Sequence, residues 1–118
     1  MNNKEIGDLG EELAVRYLVQ LDYKVIERNF ECRQGEIDII AIDQNKNELV
    51  FIEVKTRRSN LYGKPIEAVS DVKKKHLLNA IRYYLYQRNL QDEYIRVDVI
   101  EIYLVKSRYK VNHVKQIV

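Results

Sequence analysis

Residues 35–55 read GEIDIIAIDQNKNELVFIEVK, and no other stretch constrains the fold as tightly. Two runs of strand-forming residues, 36–42 and 49–55, flank the polar segment 43–48, which is the pattern of an antiparallel hairpin. A turn centred on Asn45 and Lys46 sets Ile40 opposite Phe51, Asp38 opposite Glu53 and Glu36 opposite Lys55. Side chains alternate along a strand, so Glu36, Asp38, Glu53 and Lys55 project to the same side. A register slip of one residue would bring Val50, Ile52 and Val54 to that side instead.

Opposed residues in such a pair have Cβ atoms only about 4.5–5.5 Å apart, and like charges placed there destabilise a sheet. An Asp38–Glu53 pair therefore needs a reason. One is a hard divalent cation, since two carboxylates with open water positions suit Mg²⁺. Another is a shared proton, with one carboxyl raised for acid–base work. The third is simple neutralisation of an exposed strand end by Lys55 and other cations.

The length, 118 residues, predicts one domain spanning 1–118 with a single core. A lone cysteine, Cys32, rules out an internal disulfide and fits a reducing compartment. We expect Cys32 to be an unreactive strand residue. The histidines are His76 and His113 alone, too few for a cysteine–histidine metal site. The polar start MNNKEIGD shows no signal-peptide core, and no apolar run approaches the roughly 20 residues that span a bilayer. The expectation is a cytoplasmic protein that does not enter a membrane.

Asn2 or Asn3 can cap a first helix running to about Leu21. Ile6, Leu9, Leu13, Tyr17 and Leu21 recur at helical spacing. Glu12 falls on the solvated side with Asp8 and Arg16, where an i,i+4 pair with Arg16 is expected. Glu11 falls with Gly7, Ala14, Val15 and Leu18 at the edge of the apolar stripe, where a carboxylate is costly without a partner. It is a site candidate, or else it reaches out to water.

A first strand follows over 24–33, then the hairpin. Alternation places Ile37, Ile39 and Ala41 with Val50, Ile52 and Val54 on one wholly apolar face. The other face is apolar at Ile40, Ile42, Leu49 and Phe51 but charged at Asp38, Glu53 and Lys55. Helices must cover both faces and leave one charged corner open. A loop holding Gly63 and Pro65 leads to a second helix from Val69 to about Asn89. A strand over 94–105 and a shorter one from Arg108 complete the chain. Asp98 either extends the acidic site or pairs with Arg96 on its own strand. The order α-β-β-β-α-β, with a final strand in addition, predicts an α/β fold: a central mixed sheet flanked by helices.

Net charge is only +2, but it is unevenly distributed. Residues 55–88 hold nine lysines and arginines against Glu67 and Asp71, so the remainder is acidic. A basic surface beside an acidic pocket is expected. Arg57, Arg58, Lys64, Lys73, Lys74 and Lys75 are its candidate nucleic-acid contacts. Tyr62, Tyr83 and Tyr86 lie near them, either to stack on unpaired bases or to half-bury on the helix.

This set of groups suits phosphodiester hydrolysis. Acidic residues would hold a metal that acidifies a bound water and offsets charge on the phosphate. Lys55 lies roughly 7 Å along the strand from Glu53, with a stem long enough to reach the same water or phosphate. The basic flank would supply backbone contacts.

Asp38, then Glu53-Val54-Lys55 on the next strand, with Glu11 in the first helix, resembles the PD-(D/E)xK nuclease superfamily. More closely, the chain is similar to the YraN-like family of small bacterial proteins, related to archaeal Holliday junction resolvases. The likeness covers nearly the whole chain: Gly7-x-x-Gly10-Glu11, Arg28-Asn29, Gly35-Glu36-Ile37-Asp38, Phe51-Ile52-Glu53-Val54-Lys55, Lys64-Pro65 and Val97-Asp98-Val99. It implies a restriction-endonuclease-like fold, a Mg²⁺ (or Mn²⁺) site, branched or structured DNA as substrate, a role in repair or recombination, and a homodimer. By position, Asp38 and Glu53 become metal ligands, Lys55 the water- or phosphate-positioning base, and Glu11 the acid of the first helix. Where many superfamily members carry Pro-Asp, this chain has Ile37-Asp38 preceded by Glu36, which projects toward Lys55 as well.

Three functions compete on these residues. The first is a metal-dependent endonuclease, and the second a catalytically inactive nucleic-acid-binding accessory. The third is a carboxylate-pair enzyme of another class, such as a glycoside hydrolase, against which the lack of tryptophan and the presence of Lys55 both count.

Overall fold

Helix α1 (Asn3–Gln20) begins at Asn2, whose side chain accepts from the Glu5 N–H at 2.8 Å while Glu5 accepts from the Asn2 N–H at 3.1 Å. This reciprocal capping satisfies two donors that a helix start otherwise leaves open. The helix ends at Leu21, and Asp22 takes a left-handed turn (φ 69°) into the sheet. The computed structural model describes residues 1–58 and 71–118. Lys64, Tyr62, Gly63, Pro65, and Val69 at the expected start of the second helix lie outside the described residues.

The strands are β1 (Tyr23–Cys32), β2 (Gly35–Asp43), β3 (Glu48–Arg58), β4 (Ile95–Val105) and β5 (Arg108–Val114), with helix α2 (Asp71–Gln87) between β3 and β4. They form one five-stranded sheet in the order β1-β2-β3-β4-β5. Pairing is antiparallel throughout except β3 with β4, which run parallel. A parallel pair needs a long crossover, and the connection through α2 provides it. The mixed sheet flanked by helices is thus as the sequence predicts, and the final strand is present. The arrangement is compatible with a compact α/β nuclease-like fold.

Two clusters fill the two faces. Beneath α1, Leu13, Ala14 and Leu18 pack on Ile39, Ala41, Val50, Ile52, Ile100 and Ile102. Beneath α2, Leu77, Ala80, Ile81 and Tyr84 pack on Phe30, Ile37, Ile40, Phe51 and Val97. Ile37 therefore lies on the opposite face from Ile39, contrary to simple alternation. The reason is a switch in the chain at Asn29 and Asp38. Arg28 pairs with Ile39 and Phe30 with Ile37, while Asn29 between them is left-handed (φ 53°). A second irregularity lies between Val25 and Glu27; extra residues of this kind bend a strand.

One buried polar cluster holds the sheet's far end. Arg96, 5% exposed, donates to Asp98 from Nε and Nη2, to Asp43 and Glu48 from Nη1, and to the Tyr23 hydroxyl. Asp98, fully buried, also meets His113 Nε2 at 2.7 Å and the Gln116 N–H at 3.0 Å. The alternative in which Asp98 extends the acidic site is thereby settled against: it is the anchor of a structural network.

Candidate active site

The hairpin register is the expected one from Asp43–Glu48 through Ile40–Phe51 to Ile39–Ile52, and there the pairing of β2 with β3 ends. Beyond this point β2 stays with β1, as far as Cys32–Gly35. Strand β3 stays with β4, as far as Arg58–Leu104. The sheet forks, so neither expected opposition, Asp38 with Glu53 or Glu36 with Lys55, forms as a ladder pair; Glu36 pairs with Glu31 instead. Asp38 stands in the fork. Its Oδ2 accepts from the Val54 N–H at 2.8 Å, a donor that a continued ladder would have given to a backbone carbonyl.

A cavity opens on each side of Asp38. One, of about 380 Å³, is lined by Glu36, Asp38 and Glu53 from the sheet and by Lys73 and His76 from α2. The other is lined by Asp38, Val54 and Thr56 and by Gly7 and Glu11 from α1. The fork thus sets Asp38 between Glu53 on one side and Glu11 on the other, residues far apart in sequence. Burial pushes the Asp38 carboxyl up from 3.8 to about 6; the Val54 N–H opposes this, and the charges of Glu53, Glu11 and Glu36 reinforce it. The Asp38 carboxyl thus has no cationic partner among the causes that act on it, unlike Asp98 and Asp43, which Arg96 holds low.

Two glycines set these distances. A Cβ on Gly10 would lie 1.8 Å from Thr56 Oγ1, so α1 can rest on β3 at this height only with glycine there. Glu11 follows it and is carried to the fork. A Cβ on Gly35 would meet the His76 carbonyl oxygen at 3.0 Å, and this close approach brings the first turns of α2 over the acidic residues.

The cations are distributed as follows. Lys55 Nζ lies 3.9 Å and Lys73 Nζ 3.8 Å from Glu53 Oε1. Lys55 is largely buried, its side chain 18% exposed, whereas Lys73 is 61% exposed. Arg28 bridges Glu11 at 3.3 Å and Glu12 at 3.1 Å, so Glu12 pairs across to β1 rather than within the helix to Arg16. Lys75 is exposed and Lys74 half-buried. Arg58 reaches the Met1 carbonyl at 3.0 Å. Arg57 sits differently from the surface role expected of it: its Nε donates at 3.0 Å to Glu101, which is fully buried. Glu101 also accepts from Tyr103 and Asn112.

His76 is the lining residue that sequence reasoning did not place at the site. Its position three residues beyond Lys73 on the same helix face was the available signal. Among the described residues, no group of three or more histidine, cysteine, aspartate and glutamate side chains is arranged to enclose a metal ion. No helix among them is long and apolar enough to cross a membrane.

Residues 10–102 match the family described as "Uncharacterised protein family UPF0102". A UPF0102 protein of Clostridioides difficile (strain 630) is 45% identical over 114 residues, covering 97% of this chain and 96% of the relative. One from Clostridium perfringens (strain 13 / Type A) is 47% identical over 116 residues, covering 96% and 93%. A third, from Caldanaerobacter subterraneus subsp. tengcongensis, is 41% identical over 117 residues, covering 97% and 94%. The likeness therefore runs through Glu11, the fork and both flanking strands, and the chain belongs to the UPF0102 family, the YraN-like group.

Proposed function

We propose that this protein is a divalent-metal-dependent endonuclease that hydrolyses phosphodiester bonds in branched or otherwise structured DNA. The observation that carries the reading is Asp38 in the fork, raised to about 6 by burial and by the charges of Glu53, Glu11 and Glu36. A buried carboxylate whose charge is disfavoured by burial and by neighbouring carboxylates is one that a cation would stabilise. Its oxygen donors suit a hard ion, Mg²⁺ or Mn²⁺, rather than zinc or copper. Asp38 and Glu53 would hold it, with the remaining positions left to water and phosphate, as is usual for Mg²⁺ sites that act on phosphates. When bound, such an ion supplies an acidified water and positive charge at the phosphate.

The chain's own residues do the rest. The Val54 N–H fixes one oxygen of Asp38, a residue that lines both cavities. Lys55, held beside Glu53 on the same strand, orients the attacking water or a phosphate oxygen. Glu11 adds a carboxylate from the opposite side, steadied by Arg28. Lys73, Lys74 and Lys75 on α2, with Arg58, offer the salt-sensitive backbone contacts that position a nucleic acid. Lys64, on the same basic run, joins them in this reading. Repair or recombination is the setting where such DNA occurs, and the family resemblance adds a homodimer. A single cysteine in the sequence agrees with the reducing cytoplasm as its place.

A second reading draws on Glu53, which already lies near two ammonium groups. If these neutralise the site permanently, the protein is a DNA-binding accessory that never cuts. One experiment separates the two: incubation with four-way junctions, flaps and single strands in Mg²⁺, Mn²⁺ and EDTA, for wild type and Lys55→Met. Metal-dependent cleavage lost in the variant, with DNA binding retained, supports the nuclease. Equal binding with and without metal, and no cleavage of any substrate, supports the accessory.

A further inference from the structure

A third pocket lies at the β1–β2 corner and has no part in the chemistry above. It measures about 400 Å³ and is lined by residues 30–34 of the β1–β2 corner, with Glu31 and Arg33 of opposite charge among them, and by Tyr83 and Gln87 from α2. That is the low end of the size range for small-molecule sites. Its back wall is closely packed. Phe30 is 9% exposed, with Tyr84 edge-on at 5.2 Å and the Arg88 guanidinium 5.8 Å from its centroid. Its side wall is open: the Tyr83 ring is inclined 34° to Phe30 at 6.5 Å, and Tyr83 is 37% exposed. Gln87, one turn on, lies 3.5 Å from the Tyr83 hydroxyl, the outer limit of a hydrogen bond. Its amide can therefore turn to a ligand.

This pocket and the acidic cleft draw on the same two stretches of chain, the β1–β2 corner and α2. Gln34 is followed directly by Gly35 and Glu36, which line the cleft. On α2, Tyr83 lies seven residues beyond His76, about 10 Å along the axis at 1.5 Å per residue. An aromatic platform with amide donors and acceptors at the rim, and an arginine beside it, is the chemistry that takes an unpaired nucleobase and its phosphate. A base held in a continuous duplex has no exposed face to offer it.

We infer that the Phe30–Tyr83 pocket binds an unpaired base of the same strand whose phosphate is held at Asp38 and Glu53. This rests on the nuclease reading for its location and names the substrate more narrowly: DNA with unpaired bases beside the cut, such as a flap, a gap or an opened branch point. Intact duplex is excluded from the pocket.

The test is equilibrium binding, in EDTA and again in Mg²⁺, to a duplex and to the same duplex with a three-nucleotide single-stranded extension. 2-Aminopurine at each extension position reports stacking. The expected result is tighter binding of the extended DNA and quenching at one position. Tyr83→Ala should lose about tenfold in affinity for the extended DNA, within the range for base–aromatic stacking, and nothing for the duplex. Tyr83→Phe should retain wild-type behaviour. Gln87→Ala, at the exposed rim, tests the pocket without removing a ring that packs on Phe30. If all three variants bind both DNAs as wild type does, the pocket assignment is overturned while the nuclease reading stands. If the Tyr83 dependence is present but no DNA is cut in Mg²⁺ or Mn²⁺, the pocket stands and the nuclease reading falls. Failure of wild type to bind either DNA overturns both.

Discussion

Asp38 accepts the Val54 N–H at 2.8 Å across the point where β2 and β3 part. The carboxylate closes the top of the hairpin and also marks the bottom of the cleft. It is held in an environment that disfavours its charge, because the surroundings are buried and three other carboxylates act on it. On the nuclease reading, function and stability are therefore opposed at this residue.

That opposition has a sign that can be measured in metal-free buffer. The folded-state value, about 6, lies above the ordinary 3.8. Between these values the folded chain binds more protons than the unfolded chain, so stability falls as pH rises through the window. Asp38→Asn keeps an acceptor for Val54 and removes the charge. It should stabilise the metal-free protein by about 1–3 kcal/mol above pH 6 and by little below pH 4, as read from urea unfolding in EDTA at each pH.

The buried network behaves in the opposite way. Burial acts to raise Asp98, but His113, Arg96 and the Gln116 N–H together hold it below its ordinary value. Asp43 is held low by Arg96 and the Asn45 N–H, again against burial. Their stabilisation is present above the ordinary carboxylate range and is lost as pH falls through the lowered values, so acid unfolding should set in below about pH 4.

Removing the cation at the centre of that network leaves several acids buried without it. Arg96→Leu should cost about 3–5 kcal/mol or prevent folding. Arg96→Lys should recover only part of this, because one ammonium cannot reproduce the guanidinium's contacts to Asp98, Asp43 and Tyr23. Chemical unfolding of the two variants measures the difference.

Much of this was readable from the sequence, for a physical reason. The hairpin register follows from the polar turn and the apolar alternation around it, and these reproduce the Ile40–Phe51 pair. The helix start at Asn2 follows from local capping chemistry. Alternation could not show the fork, since β3 leaves β2 to run with β4, a partner more than 40 residues later in sequence. Nor could it show the switch at Asn29, which sends Ile37 and Ile39 to opposite faces. Arg57 looked like a surface cation because Glu101, its partner, is likewise remote in sequence. Glu11 was ambiguous on the helix wheel. Its place beside Asp38 depends on the close contact of Gly10 with Thr56.

That contact is open to test. Gly10→Ala would force Thr56 or α1 to move, at about 1–3 kcal/mol for overpacking, and would draw Glu11 away from the fork. Thr56→Ala removes the nearest clashing atom, and the double variant should recover part of the loss. A double-mutant cycle on thermal unfolding reads the coupling.

Lys73 reaches the cleft from α2 and meets Glu53 at 3.8 Å. Lys73→Ala should weaken DNA binding about equally across sequences and lower the salt dependence of affinity by about one counterion. Titration of a labelled four-way junction at several salt concentrations reports both effects.

The most direct measurement is calorimetric titration of the protein with Mn²⁺ and Mg²⁺, for wild type and Asp38→Asn at equal concentration. The account predicts binding to wild type that is lost or weakened at least tenfold in the variant. Wild type that binds neither ion, with or without DNA present, would contradict it, and so would a variant that binds as tightly as wild type.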